Sequence, residues 1–264
     1  MASALIAAPI AAALEGWYED PTTGCMIEVL DLPADYEVLW TGDCAQGLAN
    51  GEGSIVVTDD GEVQYRYDGP ANDGRAHGHG VYFEHTDDGV HRIVGQFVDG
   101  IIDGQAEYFG PDGSYFEGIL DGNSGAGAGR ASTPDGAEYE GEFLNLEPHG
   151  QGFMTFANGD MYRGQWLNGQ RSGEGEILTT DGVYYKGKWL NDEPHGTGVA
   201  EFSEGRYEGP FSEGEPEGDG KFTDLDGNVY EGPFQDGQPN GTFVVTLADG
   251  AIESEIWIKG EKQQ

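Results

Sequence analysis

The sequence predicts an all-β chain: a single-layer, elongated, twisted antiparallel meander of about eight to nine β-hairpins. Three observations predict it. The first is a fixed period: Tyr139, Tyr162 and Tyr185 each open an aromatic-x-Gly-x-aromatic step, 23 residues apart, and a period of this size marks a repeat architecture. The second is alternation inside each step: Tyr139, Gly141 and Phe143 fall on one face and Glu140 and Glu142 on the other, which is strand and not helix periodicity. The third is the chemistry between the steps. Asn158-Gly159 readily supplies the positive φ of a tight hairpin, and the Leu-Asn-x-x-Pro-His-Gly stretch before Gln151 is a second turn.

In order along the chain, residues 1–35 stand outside the repeat. Ala2–Leu14 carries no charge and resembles the apolar part of a secretory leader, without the positive flank such leaders carry. It reads either as a leader remnant or as a retained Ala-rich helix, and Cys25–Leu30 reads as a cap strand. A degenerate first repeat follows over 36–66, with Trp40-x-Gly42 for the aromatic step and Gly51-x-Gly53 for the Gly-x-Gly pair. Regular repeats over 67–252 open at Tyr67, Ile93, Phe116, Tyr139, Tyr162, Tyr185, Tyr207 and Tyr230, and a half repeat fills 253–264. The array thus runs over 36–264. Departures are Ala71 where an aromatic is expected, Ala126 and Ala128 read at glycine positions, and Phe243 for a second glycine. Two strands per repeat at about 4.7 Å give a sheet on the order of 75 Å long, which native twist would curl around a concave groove.

Cys25 and Cys44 are the two cysteines, 19 residues apart at the entry to the array. No histidine or third cysteine lies near enough for a metal site, so a disulfide tying the extension to the first hairpin is expected. It would imply an oxidising compartment, extracellular or periplasmic; the alternative is two reduced thiols.

Twelve basic against 49 acidic residues leave a formal charge of −37. Such a surface repels nucleic acid and anionic membranes, whose binding needs Lys and Arg. No apolar run is long enough to span a bilayer.

These residues resemble MORN repeats, whose pattern reads Tyr-Glu-Gly-x-Trp-x-x-Gly-x-x-His-Gly-x-Gly and closes on Asp-Gly. Tyr139–Gly152 and Tyr185–Gly198 match nearly throughout, and Tyr162–Gly175 has Ser172 in place of the histidine. The 36–53 segment, with Cys25 before it, also looks like the first repeat of secreted bacterial members. The resemblance implies a scaffold or binding module that holds protein segments along an aromatic groove.

No catalytic constellation is present in the sequence, and no cofactor is implied. Asp224–Asn228 has its glycine at the wrong place for a calcium loop. His77, His79, His85 and His91 cluster in sequence, but His77 stands at the ordinary His-Gly position of a repeat, which favours structural roles over a metal site. The expected function is therefore non-catalytic binding of a protein or peptide along Tyr139, Phe143, Tyr162, Trp166, Tyr185, Trp189, Tyr207 and Phe211. Two alternatives accompany it: self-assembly as a homo-oligomer through the C-terminal edge strand near Glu253–Lys259, and glycan or divalent-cation binding at a cell surface.

Overall fold

The computed structural model describes residues 15–30, 32–33, 35–122 and 124–264; the Ala2–Leu14 expectation lies outside them. The described residues form strands and turns, with no helix. They divide into two compact units, 1–148 and 149–264. Within each, successive strands pair antiparallel as hairpins.

The second unit shows the repeat at its most regular. Strand Met161–Leu167 alternates between exposed and buried at every residue, as a strand with one face on a core must. It pairs with Gln170–Leu178, which pairs with Tyr184–Leu190, then Glu193–Phe202, then Gly205–Ser212. The register sets the glycines of the two motifs opposite each other: Gly164 faces Gly175, Gly175 faces Gly187, Gly187 faces Gly198 and Gly198 faces Gly209. The result is a row of bare backbone across the sheet.

The tyrosines use this row. A methyl group added at Gly175 would lie 2.3 Å from the Tyr162 hydroxyl, and one at Gly198 would lie 2.6 Å from ring atoms of Tyr185. Each ring lies flat over the glycines and its hydroxyl donates to the backbone carbonyl three residues on: Tyr162 to Gln165 (3.0 Å), Tyr185 to Lys188 (2.7 Å) and Tyr207 to Pro210 (3.0 Å). The buried phenol is thereby satisfied, as a buried hydroxyl must be. The glycines are thus a packing requirement set by the rings.

The first unit follows the same rule with different residues. Tyr67 donates to Pro70 (3.0 Å) and Tyr139 to Glu142 (2.8 Å). In the degenerate first repeat Trp40 takes the tyrosine's place: its indole lies over Gly42 and Gly53 and donates to the Asp43 carbonyl at 2.9 Å. The row here runs Gly80, Gly95, Ala106, Gly118, Gly129 and Gly141. Gly129, not Ala128, faces Gly118, so Ala126 and Ala128 do not occupy glycine positions. Gly127 and Gly129 do, and the two alanines point to the opposite face.

The extension is a hairpin of Glu15–Glu19 and Met26–Leu30. Asp20 fixes it to the array. Its carboxylate is buried and accepts amides from Thr22, Thr23 and Trp40 at 2.6–2.7 Å. Burial alone would raise its pKa, but these amide bonds outweigh that and hold it below the usual aspartate value. Cys25, fully buried, is joined to Cys44 by a disulfide with Cα atoms 5.8 Å apart, as expected.

Candidate functional site

The eight aromatic residues expected to line a groove are instead closed against one another. Their exposures run from 0 to 4%. Tyr139 and Phe143 belong to the first unit and the other six to the second. In the second unit each tyrosine meets two rings edge to face. Tyr162 contacts Trp166 (5.1 Å between centroids) and Trp189 (5.2 Å), Tyr185 contacts Trp189 (5.2 Å) and Phe211 (4.9 Å), and Tyr207 contacts Phe211 (5.2 Å) and Phe234 (4.9 Å). This ladder follows from sequence spacing: the opening tyrosine of one repeat touches its own second aromatic and that of the next repeat. Such pairs contribute about 0.5–1.5 kcal/mol each beyond their area burial. Arg171, at a position where the repeats opening at Tyr139, Tyr185, Tyr207 and Tyr230 carry proline, stacks on the Trp189 ring at 4.4 Å and is held by Asp192. No ring in the ladder offers an open face.

In the first unit the ladder has a gap. Tyr67 meets Phe97 at 4.9 Å, and Phe116 and Tyr139 meet Phe143 at 5.1 and 4.9 Å. Between them the rule calls for rings at 93 and 120, and the chain has Ile93 and Leu120. Aliphatic side chains here are shorter than the tyrosine and tryptophan that fill the same places in the second unit. The space they leave is a cleft of about 520 Å³.

The cleft is built from one face of the sheet. Tyr82 pairs with Ile93, and Ile93 with Tyr108, which faces Phe116. These four side chains, with Phe97, Ile102, Ala106 and Leu120, form its apolar lining, and Val29 and Leu32 of the extension close one side. Burial raises the Tyr82 and Tyr108 phenols above the ordinary tyrosine value, Tyr82 strongly. Tyr65 and Tyr82 stack nearly parallel, 6.3 Å apart and 18° between planes.

Four charged residues in the lining differ in their partners. Glu28 is held by Arg75, Arg66 by Asp68, and Asp121 accepts the Ser124 amide at 3.2 Å. Glu84 sits on the cleft face between its cross-strand neighbours Tyr65 and His91, and makes no hydrogen bond or ion pair among the described residues. Burial raises its pKa above the usual glutamate value; the nearby His91 pulls it back and Asp88 pushes it up.

Of the four clustered histidines, only His91 is deeply buried. Its Nδ1 lies 2.8 Å from the Tyr108 hydroxyl and its Nε2 3.1 Å from Thr86 Oγ1, a bonding role in the sheet. Among the described residues no three His, Cys, Asp or Glu side chains come together as metal ligands.

The cleft is not legible from the regular repeats, which close their own aromatic face. Its signal lies in the departures: Ile93, Leu120 and Ala71 stand where the pattern asks for aromatics. What turned those departures into a cavity, and not a collapse, is the sheet beneath, held in place by the intact rings on either side.

The MORN repeat family model matches residues 72–83, 94–115, 139–161, 162–184, 185–205 and 207–229. No protein of curated function matches the chain. Among solved structures, one similar chain is the SAS-4 (dCPAP) TCP domain in complex with a proline-rich motif of Ana2 (dSTIL) of Drosophila melanogaster. It is 12% identical, with a TM-score of 0.37, over 65% of this chain and 86% of that one. Six matches across 72–229, four of them opening at Tyr139, Tyr162, Tyr185 and Tyr207 of the ring ladder, establish that the chain is a MORN-repeat protein.

Proposed function

We propose that the chain is a non-catalytic binding scaffold that holds an apolar stretch of a protein partner in the first-unit cleft. MORN repeats suggest a repeat-based binding or scaffold role. The observation that carries the finer reading is the gap in the ring ladder: the repeat closes its own aromatic face everywhere it is regular, and opens a lined apolar cavity where it departs from pattern. A cavity of this size and lining suits side chains from an extended or helical segment. The ring ladder serves the site by holding the sheet rigid beneath it.

The test is selection of binding peptides against the intact chain, followed by titration against two variants. Ile93→Arg places a charge in the cleft and is expected to abolish binding. Leu190→Glu alters an exposed position of the second unit and is expected to leave it unchanged. Equal affinity for Ile93→Arg and the native chain overturns the reading.

A second reading is self-association through Ile252–Ile258. Ile252, Ile256 and Ile258 are 72, 54 and 53% exposed on one face of that strand. Light scattering on Ile256→Glu decides it: a mass unchanged from the native chain rules it out. The Cys25–Cys44 bridge favours an oxidising compartment for either reading.

A further inference from the structure

We infer that the first-unit cleft is specific for a segment that places a lysine or arginine beside its apolar anchor, with Glu84 as the residue that reads the charge. The inference rests on the cleft being a binding site and names the chemistry of its partner.

A carboxylate withdrawn from water without a partner is destabilising, and the cleft holds one on its inward face. Of the other charged residues at the lining, Glu28 and Arg66 are already paired within the chain, and Asp121, exposed, accepts the Ser124 amide. Nothing in the repeat requires an acid at 84: two places after the residue opposite the opening tyrosine, the matching strands carry Phe156, Thr179 and Phe202. The alternation carries residue 84 along the same face as Tyr82, between Tyr65 and His91.

The surroundings select a cation. The nearly parallel Tyr65 and Tyr82 rings stand beside Glu84, and aromatic faces attract guanidinium and ammonium groups. A charge-assisted bond from the ligand to the carboxylate would supply the partner that the fold withholds. The formal charge of −37 attracts basic segments generally, and Glu84 meets them inside the apolar cleft. The raised pKa of Glu84 agrees: burial penalises its charged form by more than the nearby His91 offsets. An acidic segment would bring a second uncompensated charge to the same place and is rejected.

The probes are two fluorescent heptapeptides, one alternating leucine and lysine, the other leucine and glutamine, titrated by anisotropy into the intact chain. Glu84→Gln keeps the side-chain shape. It is expected to weaken the leucine-lysine peptide about tenfold and to leave the leucine-glutamine peptide unchanged or tighter. Glu107→Gln removes the same charge from an exposed position on the opposite face and is expected to change neither. Glu84→Lys is expected to transfer preference to a leucine-glutamate peptide. Equal loss of leucine-lysine affinity in Glu84→Gln and Glu107→Gln would overturn the inference, because attraction would then be the diffuse field of the surface. In that case, leucine-glutamine binding that Ile93→Arg still abolishes leaves the cleft reading standing. Binding of both peptides indifferent to Ile93→Arg overturns the cleft and the inference together.

Discussion

Replacing Gly198 with alanine tests the physical basis of the repeat. Gly198 has extended backbone, so the substitution brings no conformational strain of its own. The added methyl would lie 2.6 Å from the Cε2 and hydroxyl oxygen of Tyr185 and 2.8 Å from its Cζ. The ring cannot move aside, because it is wedged edge to face between Trp189 and Phe211 at 5.2 and 4.9 Å, and its hydroxyl is tied to Lys188. Overpacking of this kind costs about 1–3 kcal/mol, and displacing the ring would add loss of the phenol's hydrogen bond, about 1 kcal/mol. A destabilisation of about 3 kcal/mol is expected in urea unfolding followed by circular dichroism. The decisive measurement is the double-mutant cycle with Tyr185→Leu, whose side chain lacks every atom in the clash. In that background Gly198→Ala should cost little, giving a coupling of about 2 kcal/mol or more. Gly182→Ala is the control. Its φ is +91° with no heavy atom within 4 Å, so its cost of about 1–2 kcal/mol comes from backbone conformation alone and should be independent of Tyr185. A Gly198–Tyr185 coupling below about 0.5 kcal/mol would refute the claim that ring packing, and not backbone freedom, requires the glycine row.

Three further outcomes follow from the same geometry. Phe243→Gly restores the repeat pattern yet should destabilise the second unit by about 3–5 kcal/mol, since Phe243 is 1% exposed and its ring covers Gly232, while Tyr230 has turned away to bond Asp224 at 3.2 Å; chemical denaturation showing no loss would contradict this. Cys25→Ala with Cys44→Ala should cost the first unit about 3 kcal/mol through loop entropy, read as earlier urea unfolding, and an unchanged midpoint would show the bridge to be energetically idle. Burial raises the phenols of Tyr67, Tyr185 and Tyr207 to about 12. With an unfolded value near 10, their contribution to stability is complete below about pH 10 and is lost as pH rises through about 12. Phenolate absorbance and loss of sheet signal should therefore rise together in that window, and ionisation near pH 10 with the sheet intact would refute the burial argument.

Much of this is legible in the sequence. Tyr139, Gly141 and Phe143 alternate in a way only a strand satisfies, and Asn158-Gly159 can only turn. The two glycines of each repeat could be located, but that Gly187 and Gly198 would meet across strands and share one tyrosine was a matter of register. That register is set by the length of the turn and by the irregularity after Gly187, neither of which the spacing of the motif states. The Ala126 and Ala128 reading failed for this reason: one residue of slip moves every side chain to the other face.

The candidate site divides along the same line. By itself the sequence determined the fold class, the family and the disulfide, because each depends on local periodicity or a small set of residue types. It also identified the aromatic row, and wrongly expected open faces from it, since edge-to-face packing between repeats is a property of spacing in three dimensions. Only the tertiary structure decided where that row fails to close. Ile93 and Leu120 look like ordinary apolar substitutions in a strand. They become the walls of a cleft because the rings on either side hold the sheet at a separation that aliphatic side chains cannot fill, and because Glu84, unremarked in sequence, is carried by the pleat to the same face.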